Sequence, residues 1–321
     1  MISRRALITR AALVAAGAGA LFAVRDRLPW PPLDARFANG RDTPWQRLPE
    51  RAGLVEMAVL VNGTPVRAVI DSGAQLSAVD SGLAERLGLD RILAAPLLAY
   101  GVAGKPRLTH TVHLDLAMPG LAVPGLRAAV LDLQAMAGAS GRDFQLLIGR
   151  DVLRRLVLEA DFPLRRARFL APGVHRPAHD AIAIPLKVQG GAPLAQVQIE
   201  AAPPLDLLID TGATGDLALS DALARRAGLT APGRPVRHGH SISLSGLNPE
   251  RTAVAATVRL GSLNLRNVDV QIFAPAASAP GPGGLVGAGL LRPFRVALDL
   301  GGGRLWLTPA PLVIVRPEPS P

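Results

Sequence analysis

The sequence predicts an all-β fold built from two related lobes, and three observations carry this prediction. The chain has 321 residues, which is enough for two separate cores. Apolar residues make up 49% of the chain and aromatic residues 3%, while 33 glycines and 29 prolines divide the apolar residues into short runs typical of strands and turns. Finally, an apolar run ends in Asp, a hydroxyl residue and Gly twice, at Asp71 and at Asp210.

The repeat extends on both sides of this short phrase. Aligned on the two aspartates, residues 56–71 and 195–210 both read as a strand, a turn and a second strand. Asn62-Gly63 is a strong hairpin signal in the first copy. Downstream, residues 81–89 and 221–229 each predict a two-turn helix that ends at a glycine.

Later landmarks recur at matching distances. An apolar-apolar-Gly element ends at Gly149, 78 residues after Asp71, and another ends at Gly287, 77 residues after Asp210. An aspartate follows each glycine by 12 residues and precedes a predicted closing strand. The repeat predicts a duplication into two closed, barrel-like lobes related by a pseudo-twofold axis, at residues 51–175 and 176–310, with a short helix in each. Residues 182–191 are interpreted as a strand between the lobes.

The N-terminus has the pattern of an export signal. Arg4, Arg5 and Arg10 precede an uncharged stretch over residues 11–24, which is shorter than the roughly 20 residues of a membrane span. Its length suits the apolar core of a signal peptide, and the paired arginines resemble a twin-arginine signal. We expect residues 1–24 to be a signal peptide, or an anchor if uncleaved, with an ordinary helix as the alternative. Residues 25–50 are interpreted as a linker and residues 311–321 as a tail.

Composition excludes several other classes of protein. The net charge of +10 comes almost entirely from scattered arginines with no aromatic residues between them, so nucleic-acid binding is not expected. The absence of cysteine excludes disulfides and thiolate nucleophiles. Two histidine pairs, His110 with His113 and His238 with His240, lack a clear third ligand, so we expect no metal and no cofactor.

The doubled phrase has a chemical interpretation. Each apolar run places an aspartate at the end of a buried strand, where Ser72 or Thr211 can bind the loop and a glycine allows close approach. Two such loops related by a pseudo-twofold axis would bring both carboxyls face to face. Like charges at that distance cannot both ionise, so the pair would share one proton. One carboxylate then acts as a base toward water, while the other, protonated, polarises a carbonyl.

These motifs resemble those of the aspartic peptidases of pepsin and retroviral type, and more narrowly the bacterial retropepsin-like proteins with two lobes in one chain. The matched motifs are Asp71-Ser72-Gly73-Ala74, Asp210-Thr211-Gly212-Ala213 and the two later glycine elements. The resemblance implies that Asp71 and Asp210 are catalytic. It also implies that Ser72 and Thr211, together with the glycines that follow them, support the catalytic loops.

The sequence departs from the pepsin pattern three residues after each aspartate. Pepsins usually carry a hydroxyl residue at the positions of Ala74 and Ala213, whereas retroviral enzymes carry alanine there. Because a hydrogen-bond donor is missing, the carboxylates should be stabilised less, and the pH optimum of cleavage should be mildly acidic.

The family closes its cleft with a hairpin flap, for which Tyr100, Gly104 and Gly246 are the candidates. Tyr100 is equally well interpreted as a packed strand residue.

The sequence therefore predicts a monomeric aspartic endopeptidase that needs no cofactor, is exported to the periplasm and is possibly held at the inner membrane by its N-terminus. Its partner would be a peptide or protein substrate. One alternative is an exported peptide-binding protein that keeps the fold without activity. Intact aspartates in both loops argue against this alternative, since a binder gains nothing from a costly buried pair of acids. A second alternative is a different hydrolase that uses the same two aspartates.

Overall fold

The computed structural model describes residues 33–50, 53–99, 107–139, 141–243, 246–274 and 283–310. Strands dominate this part of the chain, and its helices are seven residues long or shorter. The elements of the first half are β1 Arg36–Phe37, β2 Gln46–Arg47, β3 Glu56–Val61, β4 Thr64–Ile70, β5 Ala78–Asp80, α1 Ser81–Arg86, β6 Arg91–Ala99, β7 Arg107–Met118, β8 Leu121–Leu131, α2 Leu133–Ala139, β9 Leu146–Ile148, α3 Arg150–Leu153, β10 Val157–Asp161 and β11 Arg166–Leu170.

The second half repeats this order with small differences. Its elements are β12 Ile182–Pro185, β13 Lys187–Gln189, β14 Ala192–Ile199, β15 Leu205–Asp210, β16 Leu217–Ser220, α4 Asp221–Arg226, β17 Arg237–Ser243, β18 Gly246–Leu260, β19 Leu263–Phe273, β20 Gly284–Gly287, α5 Ala288–Leu291, β21 Phe294–Asp299 and β22 Arg304–Pro309. The all-β, two-lobed fold predicted from the sequence is confirmed.

Each lobe is an eight-stranded sheet that closes on itself. The first has the order β1-β8-β5-β9-β4-β3-β7-β6 and closes through an extra β7–β8 pairing. The second has the order β13-β14-β15-β20-β16-β19-β18-β17 and closes through β14–β18. Side chains that alternate inward, as in β3 with Met57, Val59 and Val61 buried, fill the interior.

Local signals in the sequence account for the turns and the helix ends. Asn62 and Gly63 have φ values of 47° and 80°, which suit the tight turn between β3 and β4. The helix α1 begins after Asp80, whose side chain accepts a hydrogen bond from Leu83 N–H, and α4 begins in the same way after Ser220. Gly88 and Gly228 end the two helices with φ values of 58° and 71°, as the sequence predicts.

A third sheet joins the lobes. Its order is β12-β22-β21-β10-β11-β2, so each half of the chain contributes three strands. The two central strands, β10 and β21, pair antiparallel across the lobe boundary with Ala160 opposite Val296. Because this pairing uses backbone hydrogen bonds and buried side chains from both halves, the lobes share one continuous sheet.

Two segments differ from their interpretation in the sequence. Residues 182–191 divide in two: β12 joins the shared sheet through β22, while β13 belongs to the second lobe. Residues 33–50, the described part of the expected linker, carry two strands, and β1 pairs with β8 while β2 pairs with β11. The predicted signal and tail, residues 1–24 and 311–321, lie outside the described residues. Within the described ranges no helix has the length and apolar character to cross a membrane.

Glu159, on β10, is the centre of a charged cluster on the shared sheet. Its side chain is 2% exposed and binds Arg168 at 2.7 Å and, across the lobe boundary, Arg295 at 3.1 Å. Nδ1 of His175 lies 2.8 Å from its Oε1. Burial alone would raise the pKa of Glu159, but the hydrogen bonds of His175 and Arg168 and the charge of Arg295 outweigh it and lower the pKa to about 2.

We expect Glu159→Gln to destabilise the protein in a pH-dependent way. Because the pKa of this carboxyl is lower in the folded protein, its contribution is present above the unfolded pKa of 4.5 and is lost as the pH falls toward about 2. The variant should lose up to about 3 kcal/mol of unfolding free energy near neutral pH. Urea unfolding at several pH values measures this loss.

Glu50→Gln is the matched control for this prediction. Glu50 is 81% exposed and lies 3.4 Å from Arg165, so its loss should cost less than about 0.5 kcal/mol at any pH. Equal, pH-independent losses in the two variants would contradict the role given to Glu159.

Candidate active site

The two Asp-hydroxyl-Gly loops follow equivalent strands of the two lobes. β4 leads into Asp71 and pairs parallel with β9, while β15 ends at Asp210 and pairs parallel with β20. The apolar strands carry both aspartates inward, and each aspartate residue is 0% exposed. The later apolar-apolar-Gly elements thus lie beside the strands that deliver the aspartates, and Asp71 N–H donates to Ile148 C=O at 2.9 Å.

The carboxyls of Asp71 and Asp210 face each other across the boundary between the lobes. A Cβ built on Gly73 would lie 2.5 Å from Oδ2 of Asp210, and one built on Gly212 would lie 2.6 Å from Oδ1 of Asp71. Each glycine of one loop therefore packs against the carboxyl of the other loop. Only a residue without a side chain leaves room for this approach.

Ser72 and Thr211 bind the loops to each other through four hydrogen bonds. Ser72 N–H donates to Thr211 Oγ1 at 3.0 Å, and Thr211 N–H donates to Ser72 Oγ at 3.0 Å. Each hydroxyl also donates into the opposite lobe, Ser72 to Ile209 C=O at 2.7 Å and Thr211 to Ile70 C=O at 2.8 Å. These reciprocal bonds fix the distance between the two aspartates.

We expect Ser72→Ala to destabilise the protein by about 3 kcal/mol, because it leaves two buried backbone groups, Thr211 N–H and Ile209 C=O, without their partner. Thermal unfolding measures this loss. Thr211→Ser is the matched control, since it keeps the hydroxyl and loses only a methyl group, at a cost of about 1 kcal/mol. Equal losses in the two variants would show that the hydroxyl bonds contribute nothing specific.

The carboxyls have unequal surroundings. Oδ1 of Asp71 accepts hydrogen bonds from Gly73 N–H at 2.8 Å and Ala74 N–H at 2.9 Å, and Oδ1 of Asp210 accepts from Gly212 N–H at 2.9 Å. Burial raises the pKa of Asp71, while the hydrogen bonds from Ala74 and Gly73 oppose the rise. Burial and the charge of Asp71 raise the pKa of Asp210 well above its usual range.

Arg150 places a positive charge near both carboxyls. It is 2% exposed and is the first residue of α3, directly after Gly149. Its charge lowers the pKa of Asp71 and of Asp210, against the effect of burial. The equivalent first residue of α5 in the second lobe is Ala288, which is uncharged. Of these two equivalent positions, only the one in the first lobe carries a positive charge.

A family model described as "Aspartyl protease" matches residues 57–152 and again residues 195–291, which together are more than half of the chain. The chain belongs to the aspartyl protease family. The two matched segments contain Asp71 and Asp210 respectively, so the family pattern occurs once in each lobe.

Curated relatives of this chain match it over about one lobe's length. DNA damage-inducible protein 1 of Phaeosphaeria nodorum is 32% identical over 103 residues, which are 32% of this chain and 21% of the relative. UBA domain-containing protein Mud1 of Schizosaccharomyces pombe is 36% identical over 113 residues, 33% of this chain and 31% of the relative. Protein DDI1 homolog 1 of Caenorhabditis elegans is 35% identical over 98 residues, 30% of this chain and 23% of the relative. The chain thus spans between about a fifth and a third of each relative.

The flap candidates fall mostly outside the described residues. Tyr100 and Gly104 lie there, while Gly246 is the first residue of β18 and pairs with Ser243 of β17. In the part of the chain that the structure describes, no group of three His, Asp or Glu residues is arranged to hold a metal ion.

Sequence reasoning missed three residues behind the two Asp-hydroxyl-Gly loops: Arg150, Ser77 and Asp151. Asp151 accepts hydrogen bonds from Ser77 N–H at 3.0 Å and from Ser77 Oγ at 2.9 Å, although the two residues are 74 positions apart. Arg150 and Asp151 follow the buried strand β9 after a single glycine, and this charge close to a buried strand is the one signal that could have marked the two residues, though not their contacts.

Proposed function

We propose that the protein is an aspartic endopeptidase in which Asp71 and Asp210 activate a water molecule that attacks a peptide carbonyl. The observation that carries this proposal is the pair of buried carboxyls held face to face by reciprocal bonds between the loops. Within the described residues, Oδ2 of Asp71 and Oδ2 of Asp210 are buried and accept no hydrogen bond. Such acceptors are suited to holding a water or a substrate oxygen.

The unequal surroundings assign different roles to the two carboxyls. Because backbone N–H groups stabilise the charged form of Asp71, this residue is the ionised base of the pair. Asp210, whose pKa is raised well above its usual range by burial and by the charge of Asp71, carries the shared proton.

The reaction then balances without a cofactor. Asp71 takes a proton from water as the water oxygen attacks the carbonyl carbon, and Asp210 gives its proton to the carbonyl oxygen. The tetrahedral intermediate collapses when Asp71 returns its proton to the leaving nitrogen and Asp210 recovers a proton from the hydroxyl group. The carboxylic acid and amine products leave the pair in its starting state.

The substrate is a peptide or protein segment that lies between the lobes, and the active unit is a monomer because one chain supplies both loops. We also propose export to the periplasm, with attachment to the inner membrane if the N-terminal segment is not cleaved. This part of the proposal is supported by the sequence pattern of residues 1–24.

The test is cleavage of an unfolded protein and a peptide library by residues 25–321 between about pH 3 and pH 8. We expect cleavage with a mildly acidic optimum. A peptide whose scissile carbonyl is replaced by a tetrahedral hydroxyl-bearing carbon should bind at least about 100-fold more tightly than the parent peptide. Peptide binding without cleavage, and with no preference for the tetrahedral analogue, would overturn the proposal in favour of a peptide-binding protein.

A further inference from the structure

In the first lobe, a carboxylate on the short helix holds the end of the catalytic loop. Both oxygens of Asp151 lie 3.0 Å from Ser77 N–H, and Oδ1 also accepts from Ser77 Oγ at 2.9 Å. Ser77 Oγ in turn accepts from Gly149 N–H at 3.1 Å. Ser77, six residues after Asp71, is thereby bound both to Gly149, which follows β9, and to Asp151 of α3.

The second lobe also has a carboxylate between loop and helix, but there it belongs to the loop and not to the helix. Asp216 stands six residues after Asp210, in the place of Ser77, and Gly289 is the second residue of α5, in the place of Asp151. A Cβ built on Gly289 would lie 2.5 Å from Oδ1 of Asp216. The loop carboxylate therefore occupies the space that a side chain on the helix would need, and it accepts a hydrogen bond from Asp269 N–H of β19.

The backbone contacts follow the same exchange. Gly287 N–H donates to the backbone carbonyl of Asp216 at 2.9 Å, whereas Gly149 N–H uses the Ser77 hydroxyl. In each lobe one loop residue and one helix residue make room for a single carboxylate. Aspartates at both positions would meet in one small space and repel each other.

These helices also hold the loops next to the reacting carboxyls. Arg150 N–H donates to Ala74 C=O at 2.9 Å, and Ala74 N–H donates to Asp71 Oδ1. In the second lobe Ala288 N–H donates to Ala213 C=O at 2.7 Å. A loop whose far end loosens from the helix will therefore shift the backbone N–H groups that orient the first carboxylate.

We propose that Asp151 and Asp216 are positioning residues of the two catalytic loops, and that each fills the same space between loop and helix, Asp151 from the helix and Asp216 from the loop. This inference rests on the proposed endopeptidase function. It predicts that the aspartate and glycine of the second lobe, placed at Ser77 and Asp151, should also hold the loop of the first lobe in position.

The experiment compares Asp151→Gly, Ser77→Asp and the double variant in the peptide-cleavage assay. Asp151→Gly leaves Ser77 N–H unpaired and Ser77→Asp crowds two carboxylates, so each should lower kcat about tenfold or more with little change in KM. The double variant copies the Asp216–Gly289 pair and should recover kcat to within about threefold of the original protein. Asp90→Gly, an exposed aspartate of the same lobe, is the control and should leave kcat unchanged.

A second measurement does not depend on cleavage. The unfolding free energies of the original protein, Asp151→Gly, Ser77→Asp and the double variant form a double-mutant cycle. The losses of the two single variants should compensate each other in the double variant rather than add. Asp151→Asn, which keeps an acceptor for Ser77 N–H, should retain most of kcat and covers the case in which the glycine variant does not fold. Additive losses in the cycle, or an unchanged kcat in Asp151→Gly, would overturn this inference. Absence of cleavage in the unaltered protein would instead overturn the proposed function.

Discussion

Asp71→Asn and Asp210→Asn should each abolish peptide cleavage, with a loss of about 10³-fold or more in kcat. The reason is the balance of protons. An asparagine in place of Asp71 cannot accept the proton of water, and an asparagine in place of Asp210 can neither give a proton to the carbonyl oxygen nor recover one from the intermediate. Because each carboxyl depends on the other, the double variant should be no worse than either single variant.

The same substitutions should leave the fold intact and make one part of its pH dependence disappear. Asp210 has a raised pKa in the folded protein, so its contribution to stability is full below the unfolded pKa and is lost as the pH rises through the folded pKa. Asp210→Asn should therefore unfold with a free energy that declines less above about pH 4. Melting temperatures of the variant and the original protein, measured below and above about pH 4, test this difference in pH dependence.

A matched control distinguishes a loss of catalysis from the general effect of replacing an aspartate with asparagine. Asp90→Asn changes an exposed aspartate of the first lobe and should alter neither activity nor melting temperature. Retention of more than about a hundredth of the activity in either dyad variant, which is a smaller loss than general acid-base catalysis supplies, would contradict the assignment of Asp71 and Asp210.

Gly73→Ala and Gly212→Ala should produce the next largest effects. The added methyl group would enter the space of the opposite carboxyl, 2.5 Å from Oδ2 of Asp210 in the first case. The loops must move apart, which should cost about 1–3 kcal/mol of unfolding free energy. A displacement of about 1 Å is enough to lower kcat about 100-fold, so activity should fall much further than stability.

Gly138→Ala is the control for the glycine variants. Gly138 lies in α2, is exposed, and has no atom within 4 Å of an added Cβ. Alanine there should keep full activity and raise stability by about 0.5–1 kcal/mol, since glycine is a poor helix former. If Gly73→Ala cleaves as well as Gly138→Ala, the two loops do not meet as closely as described.

The sequence predicted those parts of the protein that depend on local chemistry or on exact repetition. Asn62-Gly63 predicted the hairpin, Gly88 and Gly228 predicted the helix ends, and the two apolar runs predicted that Asp71 and Asp210 stand at the ends of buried strands. The contact between Ser77 and Asp151 was not predictable, because the two lobes solve it with different residues and a comparison of the halves shows only two mismatches there.

Contacts that join distant segments were also missed. Glu159 binds Arg295, 136 residues later in the chain, and neither residue carries a motif. The strands at residues 36–37 and 46–47 are two residues long, too short for a periodic pattern, and their pairing with β8 and β11 is decided by the surface that the first lobe offers.

The shared six-stranded sheet has a consequence for how the two halves can change over generations. Three strands from each half make it nearly symmetric, as an assembly of two identical subunits would be. In such an assembly every substitution would appear twice, and an arginine at the position of Arg150 would bring two buried positive charges to a pair of acids that, in the proposed mechanism, carries one negative charge. Because both halves lie on one chain, a single mutation changes the surroundings of only one of the two aspartates. One half can therefore keep an arginine where the other has Ala288, and the difference between the two acids can be inherited.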